Sequence, residues 1–348
     1  MEVKHLYIHI PFCNSICTYC DFTRFVCNES IKTKYINKII RQINLRFDKK
    51  NKLDSIYIGG GTPNCLNEQL LNKLLGVCKK LVSTKTEFTI ECNPELITKQ
   101  QALTFKSNKI NRISLGIQFC NNKLLKKYGR KTTILSCEQA IRILQSHNIS
   151  NISGDFIYGL NELTKHDIKS NIEFIKKNKL THCSFYSLEI KSGSLLNKGG
   201  YQINDEKVEE DLSNIEKQLK SIHFNRYEIS NWCYNQKYES IHNKAYWLTK
   251  EWIGIGLGAS GFENRNLYQN IGSLYKWAKN NNQLSLKDYY FQIIMMGLRM
   301  KKGIDLKNKV YKKAYEFYKN KIKYTHIVNN CLTCNNFNLL NLSIIDCL

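Results

Sequence analysis

The chain has 348 residues, with 52 Lys and Arg against 29 Asp and Glu, a formal charge of +23. That length suits two domains or one large α/β domain with an appendage, and 42% hydrophobic with 11% aromatic residues excludes a disordered chain. No run approaches the roughly 18 uninterrupted apolar residues of a membrane-spanning helix, and the opening MEVKHLYIHIPFC lacks the apolar segment and cleavage site of a signal peptide. A cytoplasmic protein is expected. The lysines are scattered and form no run of five or six, so the charge fits a composition bias towards Lys, Asn and Ile as readily as an anionic partner.

In chain order, short β-branched or aromatic runs predict strands at His5–Ile10, Ser55–Ile58, Glu87–Glu91, Arg112–Ile117, Ile152–Ile157 and Thr181–Leu188. Between them apolar residues recur at helical spacing: Ile36, Ile39, Ile40, Ile43 and Phe47, then Leu70 to Leu81, then Ile168, Ile172 and Ile175. Six such βα units predict an α/β fold with a parallel sheet, an open or partial (β/α)6 barrel. After residue 200 a polar helix over Asp205–Ile222 is followed by an aromatic segment, a Gly-rich turn WIGIGLGASGF, and a Lys-rich helical region. The tail NCLTCNNFNLLNLSIIDCL reads as a small hairpin. The expected division is a core domain over 1–235 and a smaller, mostly helical domain with a β-wing over 236–348.

Pro11, Pro63 and Pro94, the three prolines of the chain, each fall just past a predicted strand and shape the loop there. In α/β barrels those loops carry the chemistry. Reading strand ends in turn gives a cysteine cluster, then Gly59-Gly60-Gly61-Thr62, Glu91 with Asn93, Gln118, and Asp155. The cluster, Cys13-x3-Cys17-x2-Cys20, places three soft thiolate donors on one loop. A structural zinc would want a fourth ligand nearby, and the next thiol is Cys27. A cytosolic disulfide is disfavoured. Three thiolates suit a [4Fe–4S] cluster with one iron left open. The remaining cysteines read as small core residues, and Cys331-x2-Cys334 has metal-like spacing with no second pair beside it.

The segment YIHIPFCNSICTYCDF resembles the opening of radical S-adenosylmethionine (SAM) enzymes, in the branch of oxygen-independent coproporphyrinogen III dehydrogenases and their HemW-type relatives. The likeness continues through IYIGGGTP, ECNPE, RISLGIQFCNNKLLKKYGR, DFIYGL, YEISNW, HNKAYW, IGIGLGASGF and GLRMKKGIDL, over roughly residues 5–310. The resemblance implies that Cys13, Cys17 and Cys20 ligate a [4Fe–4S] cluster whose open iron binds SAM, and that an electron from the cluster splits the sulfonium to give a 5′-deoxyadenosyl radical. It implies SAM contacts at Tyr7, Tyr19, Gly60, Gly61, Thr62, Glu91, Gln118, Arg130 and Asp155.

Two departures divide the branch. The dehydrogenases resemble C-x3-C-x2-C-x-C, and the position of the last Cys is Phe22 here; they also carry a long segment ahead of the motif, where this chain has 12 residues before Cys13. Both point to the HemW type, a haem-binding chaperone, with coproporphyrinogen III dehydrogenase or a radical SAM enzyme on another substrate as alternatives. The motif His242-Asn243-Lys244-Ala245-Tyr246-Trp247 matches the HNxxYW associated there with haem. An imidazole can ligate haem iron and aromatics can pack on a porphyrin. The implied partners are haem-accepting proteins and an electron donor, with peripheral contact at an anionic membrane left open; no recognition helix supports nucleic-acid binding.

Overall fold

The computed structural model describes residues 3–48, 50–191 and 193–347. Six βα units come first: β1 (His5–Ile10), α1 (Glu29–Arg46), β2 (Leu53–Gly60), α2 (Glu68–Lys79), β3 (Val82–Cys92), α3 (Lys99–Ser107), β4 (Arg112–Gln118), α4 (Asn122–Lys127), α5 (Ile134–Ser146), β5 (Ile152–Tyr158), α6 (Lys165–Lys177) and β6 (His182–Ser187). Adjacent strands from β1 to β6 pair in parallel. The fold is α/β with a parallel-strand core, as expected, and the sheet stays open. Asn28, Asn67, Thr98, Thr133 and Thr164 each accept a hydrogen bond from a first-turn amide, which fixes where the major helices start.

Period-two alternation gives the sheet two different faces. Leu6, Ile8, Ile56, Ile58, Phe88 and Ile90 are fully buried in one core with the apolar stripes of the helices. The alternate residues line the other, inner face, where register sets His5 beside Ser55, Tyr7 beside Tyr57 and Ser55 beside Glu87. Further along, Glu91 lies beside Ser114, Ser114 beside Ser153, and Ser153 beside His182. That face is polar.

Beyond β6 come α7 (Leu195–Lys198), α8 (Asp205–Ser221), β7 (Asn225–Glu228), β8 (Asn231–Cys233) and α9 (Ile241–Trp247). Then follow β9 (Trp252–Ile255), β10 (Ser260–Glu263), β11 (Asn266–Gly272) and β12 (Trp277–Gln283). Two expectations change here. WIGIGLGASGF is not only a turn, since β9 pairs in parallel with β1, placing His5 beside Trp252 and Ile8 beside Ile255. The sheet order is β12-β11-β10-β9-β1-β2-β3-β4-β5-β6-β8-β7. The division expected at 235/236 therefore falls inside the sheet, and Ile253, Ile255 and Leu257 belong to the main core.

A second core forms later, from Ile293, Ile294, Leu298, Ile304, Tyr318 and Leu332 among others. Its elements are α10 (Leu286–Gly297), β13 (Ile304–Asp305), α11 (Lys309–Tyr318), β14 (Thr325–Val328), β15 (Cys331–Cys334) and α12 (Leu340–Ile344). The tail hairpin lies earlier than expected, joining β14 to β15 through Asn329 and Asn330, both at positive φ (50° and 64°). Asn tolerates that conformation, which suits a two-residue hairpin turn. Cys331 and Cys334 sit three apart on β15, so their side chains leave opposite faces of the strand, and Cys334 Sγ donates to Asn336 O at 3.0 Å.

Helix α9 closes the inner face at its lower end. The Glu87 carboxylate accepts the amides of Ile241 and His242, each at 2.9 Å, and the Ser240 hydroxyl at 3.2 Å. A buried carboxylate at a helix N-terminus meets both the free amides and the dipole. Glu87→Ala leaves those donors buried and unpaired, at about 1–3 kcal/mol each. We expect a loss of roughly 3 kcal/mol or more in urea unfolding, with a smaller loss for Glu87→Gln.

Candidate functional site

The upper ends of the parallel strands bring the polar residues together. After β1 the chain loops out through the three cysteines and returns, so that Phe25 N–H donates to Pro11 O at 2.7 Å and Cys13 N–H to Phe25 O at 3.0 Å. His9 Nε2 lies 3.0 Å from Thr23 O. A carbonyl only accepts, so that nitrogen carries the proton and Nδ1 accepts from the Tyr7 hydroxyl at 3.1 Å. The loop is thereby pinned at both stems.

All 14 cysteines are free thiols. Cys13 Sγ accepts from the Thr62 hydroxyl at 3.4 Å, and Cys17 Sγ from Arg130 Nη1 at 3.8 Å. Burial pushes the Cys20 thiol up to about 11, opposed by the Phe22 amide and Arg24. Burial also raises Cys13, opposed by Thr62, Arg24 and Arg130. Among the described residues no three His, Cys, Asp or Glu side chains converge tightly enough to share one metal ion. Three thiols on one loop beside two guanidiniums suit a larger, anionic, thiolate-held cluster better than a single zinc.

The second strand end supplies the wall. A Cβ on Gly61 would stand 2.7 Å from Phe12 O and 2.9 Å from Cys13 Sγ, so only glycine lets this backbone pass the thiol. Gly60 N–H donates to Glu91 Oε2 at 3.0 Å, and the Tyr57 hydroxyl donates to Oε1 at 2.8 Å. Burial still pushes Glu91 up to about 7, Tyr57 pulling the other way. Gln118 ends β4 at φ 67°, where the pairing with β5 slips. A Cβ on Gly116 would meet Gln118 Nε2 at 3.0 Å and Arg130 Nη2 at 3.3 Å, so these two side chains converge. Arg130 Nη2 donates to Gly116 O at 2.7 Å and to Asn93 Oδ1 at 3.2 Å, while its buried Nε has no partner. Burial opposes that charge, but Tyr19 and Cys17 outweigh it and raise the guanidinium's pKa. An unpaired buried donor beside a glycine-lined wall fits a ligand with a carboxylate, as SAM has.

Asp155 lies on β5, beside Gly116 of β4. Its carboxylate accepts from Ser114 Oγ at 2.7 Å and Ser153 Oγ at 3.3 Å, and burial raises its pKa against those serines. Tyr7 stacks on Tyr57 at 6.1 Å, and Tyr19 lies 6.3 Å from Tyr128. Thus Cys13, Cys17, Thr62 and Arg130 form one group, with Gly60, Gly61, Glu91 and Gln118 bounding it and Tyr19 beside Arg130.

The HNKAYW segment lies on α9, next to that group rather than in it: the His242 ring stacks on Tyr57 at 5.1 Å and lies 6.4 Å from Tyr7. His242 is 1% exposed, with Nδ1 2.7 Å from Ser55 Oγ and Nε2 2.7 Å from the Tyr246 hydroxyl. Burial, then His5 and Arg112, hold the imidazole neutral, well below the usual histidine range. Asn243 N–H donates to the Ser240 cap at 3.2 Å, and Trp247 faces the C-terminal unit, its ring 5.9 Å from the Arg299 guanidinium. His242 is not presented as a free axial ligand, because Glu87 and Ser55 draw it into the barrel floor, while Asn243, Tyr246 and Trp247 are half-buried. Reading the strands alone missed Ser55, Glu87, Ser114 and Ser153; their signal was polarity at every second residue of otherwise apolar strands.

Residues 7–175 match the family model of the Radical SAM superfamily, and that superfamily implies a [4Fe–4S] cluster and SAM. The chain is 34% identical over 313 residues to the heme chaperone HemW of Lactococcus lactis, covering 86% of this chain and 82% of that one. It is 34% identical over 320 residues to the heme chaperone HemW of Buchnera aphidicola from Acyrthosiphon pisum, covering 86% and 83%. Among solved structures, coproporphyrinogen III oxidase (HemN) from Escherichia coli superposes with a TM-score of 0.79 at 15% identity, over 99% of this chain and 90% of that one; that likeness is of fold. No helix among the described residues is long and apolar enough to cross a membrane. The chain belongs to the HemW-type branch of the HemN-like radical SAM family.

Proposed function

We propose that this chain is a haem-trafficking radical SAM protein, carrying haem for delivery to acceptor proteins. In this reading Cys13, Cys17 and Cys20 hold a [4Fe–4S] cluster. Gly60, Gly61, Thr62, Glu91, Gln118 and Arg130, with Tyr7, Tyr19 and Asp155, hold SAM. The carrying observation is the convergence of the Cys13 and Cys17 thiols with the Thr62 and Arg130 donors, beside the glycine wall that holds the buried Glu91 carboxyl. When bound, the cluster and SAM supply one-electron cleavage of the sulfonium. The protein's own part would be to orient: Arg130 would offer its unpaired donor to a carboxylate of the ligand, and the ionised Glu91 carboxylate would favour the positive charge of the sulfonium ligand. Phe22 in place of a further motif cysteine, together with HemW-named relatives, supports haem traffic over porphyrinogen dehydrogenation.

Haem ligation by His242 requires α9 to release Ser55 and Tyr246, since both ring nitrogens are taken in the closed floor. We therefore propose that haem is held after α9 loosens, with His242 as the axial ligand. The expected result is one haem per chain with a Soret band that His242→Ala abolishes, and no anaerobic turnover of coproporphyrinogen III. Turnover at enzymatic rates would instead establish the dehydrogenase.

For the cofactors, Cys13→Ser, Cys17→Ser and Cys20→Ser each drop iron and sulfide far below the wild-type content after anaerobic reconstitution. Zinc in place of iron in the wild type would sink the reading.

The pH dependence follows from Glu91 and from Glu228, which burial also pushes up to about 7. Each holds its proton in the folded chain while the unfolded chain loses it from the ordinary value of 4.5. That contribution is present in full below about pH 4.5 and is lost as pH rises through about 7. The ligand-free protein should therefore melt at lower temperature at pH 8 than at pH 5.5, and Glu91→Gln should flatten the slope. A cationic ligand favours the ionised carboxylate, so calorimetry should show SAM binding tightening as pH rises through 7 in the wild type, and less so in Glu91→Gln.

A further inference from the structure

A line of aromatic rings runs from the candidate site through the floor and into the C-terminal unit. Tyr7 stacks on Tyr57 with ring centres 6.1 Å apart, Tyr57 stacks on His242 at 5.1 Å, and His242 meets the Tyr246 ring edge-on at 4.8 Å. Tyr246 then meets Trp252 at 4.8 Å, Trp252 meets Phe262 at 5.6 Å, and Phe262 stacks on Tyr289 at 6.1 Å. Tyr289 lies 6.4 Å from Tyr290, which lies 5.8 Å from Phe317, a ring 56% exposed at the surface. Each separation is that of paired rings, so the line is unbroken from β1 to α10.

Phenylalanine would serve packing alone as well as tyrosine. The inner members are instead tyrosines whose hydroxyls face a base. Tyr57 donates to Glu91 Oε1 at 2.8 Å, Tyr7 to His9 Nδ1 at 3.1 Å, and the Tyr246 hydroxyl lies 2.7 Å from His242 Nε2. A phenol gives up an electron readily only when its proton has somewhere to go, and a carboxylate or neutral imidazole at hydrogen-bond distance takes it. Trp252 is oxidised without losing a proton, and its Nε1–H stays on Ser260 O at 3.0 Å. His242 and Phe262 bridge the oxidisable rings on either side of them.

We propose that Tyr7, Tyr57, Tyr246, Trp252, Tyr289 and Tyr290 form a hole-hopping path that brings an electron from the surface of the C-terminal unit to the site, quenching a carbon radical that meets no other partner there. The role at the site rests on the cofactor reading above; the path itself does not. The Tyr7 hydroxyl gives its hydrogen atom to the radical carbon, so an O–H bond breaks and a C–H bond forms. The Tyr7 phenoxyl is refilled by an electron passed from ring to ring and a proton from water in the lumen. At the outer end a small thiol such as glutathione loses one electron and its S–H proton, and leaves as a thiyl radical. The thiol is oxidised by one electron and the radical carbon is reduced by one.

The experiment separates the path from the cofactors. The iron-free full chain is flash-oxidised with ruthenium tris-bipyridine and persulfate, and oxidised tyrosines are mapped by peptide mass spectrometry. The bulky dye works from outside, so oxidation at Tyr57, on the inner face with its hydroxyl on Glu91, reports migration. Tyr57 and Tyr246 should be oxidised in the wild type, and Trp252→Phe should cut both about tenfold while leaving Tyr290 unchanged. Tyr289→Phe/Tyr290→Phe, which keeps the rings, should cut them as well. No oxidation of Tyr57 in the wild type, or an equal yield there in both variants at a normal melting temperature, overturns the path. In the chain reconstituted with iron, sulfide and SAM, dithionite should raise a tyrosyl signal in electron paramagnetic resonance that glutathione discharges. Cleavage of SAM without that signal overturns the role at the site. Wild-type protein that takes up no iron removes the cofactor reading, and leaves the iron-free measurement to decide the path.

Discussion

A carboxylate taken out of water must be met by donors or it will not stay charged. The inner face of this sheet holds three of them, Glu87, Glu91 and Asp155, and their differing solutions organise the molecule. Glu87 is answered by two amides and a hydroxyl of the α9 start, which fixes that helix as a floor. Asp155 is answered by Ser114 and Ser153 from neighbouring strands, which makes it part of the wall. Glu91 has only Tyr57 and the Gly60 amide, too little to hold its charge at acid pH. It would gain from a cation, and it lies one residue from the end of β3.

The parallel strands were legible because a strand buried against helices on one face must be apolar at alternate positions, and β-branched residues fill those positions well. The predicted His5–Ile10 coincides with β1, and Arg112–Ile117 falls one residue short of β4. What escaped was long-range or polar. β9 joins β1 across more than two hundred residues, and no local pattern announces such a partner. β12, WAKNNNQ, is almost wholly exposed at the sheet edge, so it carries no hydrophobic signature at all. The boundary drawn at 235/236 lies between β8 and β9 of one continuous sheet, and the change in pattern after residue 200 leaves no mark on the strand pairing.

The site was legible where chemistry demands a residue type. Three cysteines at short spacing are rare outside metal chemistry, and glycines before Thr62 announce a close approach. The resemblance to radical SAM sequences named Glu91, Gln118 and Arg130; in the structure Gln118 and Arg130 meet at Gly116, and register sets the β3 end that carries Glu91 beside β4. Spacing could not give burial. HNKAYW reads equally well as an open haem ligand or as a plug, and only the placement of Ser55 and Glu87 decides that the ring of His242 points inward.

That inward placement ties the two halves of the chain together. α9 gives His242 and Tyr246 to the barrel floor, while Trp247 and the carbonyl of Leu248 face the C-terminal unit, the latter through the Tyr311 hydroxyl. β7 reaches the same unit, with Lys301 N–H donating to Tyr227 O at 2.9 Å, and the Tyr227 hydroxyl lies 2.9 Å from His182 Nε2 on the inner face. A movement of the C-terminal unit cannot leave α9 where it is without breaking one of these contacts, and a movement of α9 cannot leave Glu87 paired. The contacts of α9 therefore run both ways, to Glu87 and Ser55 in the floor and to Tyr311 and Arg299 of the C-terminal unit.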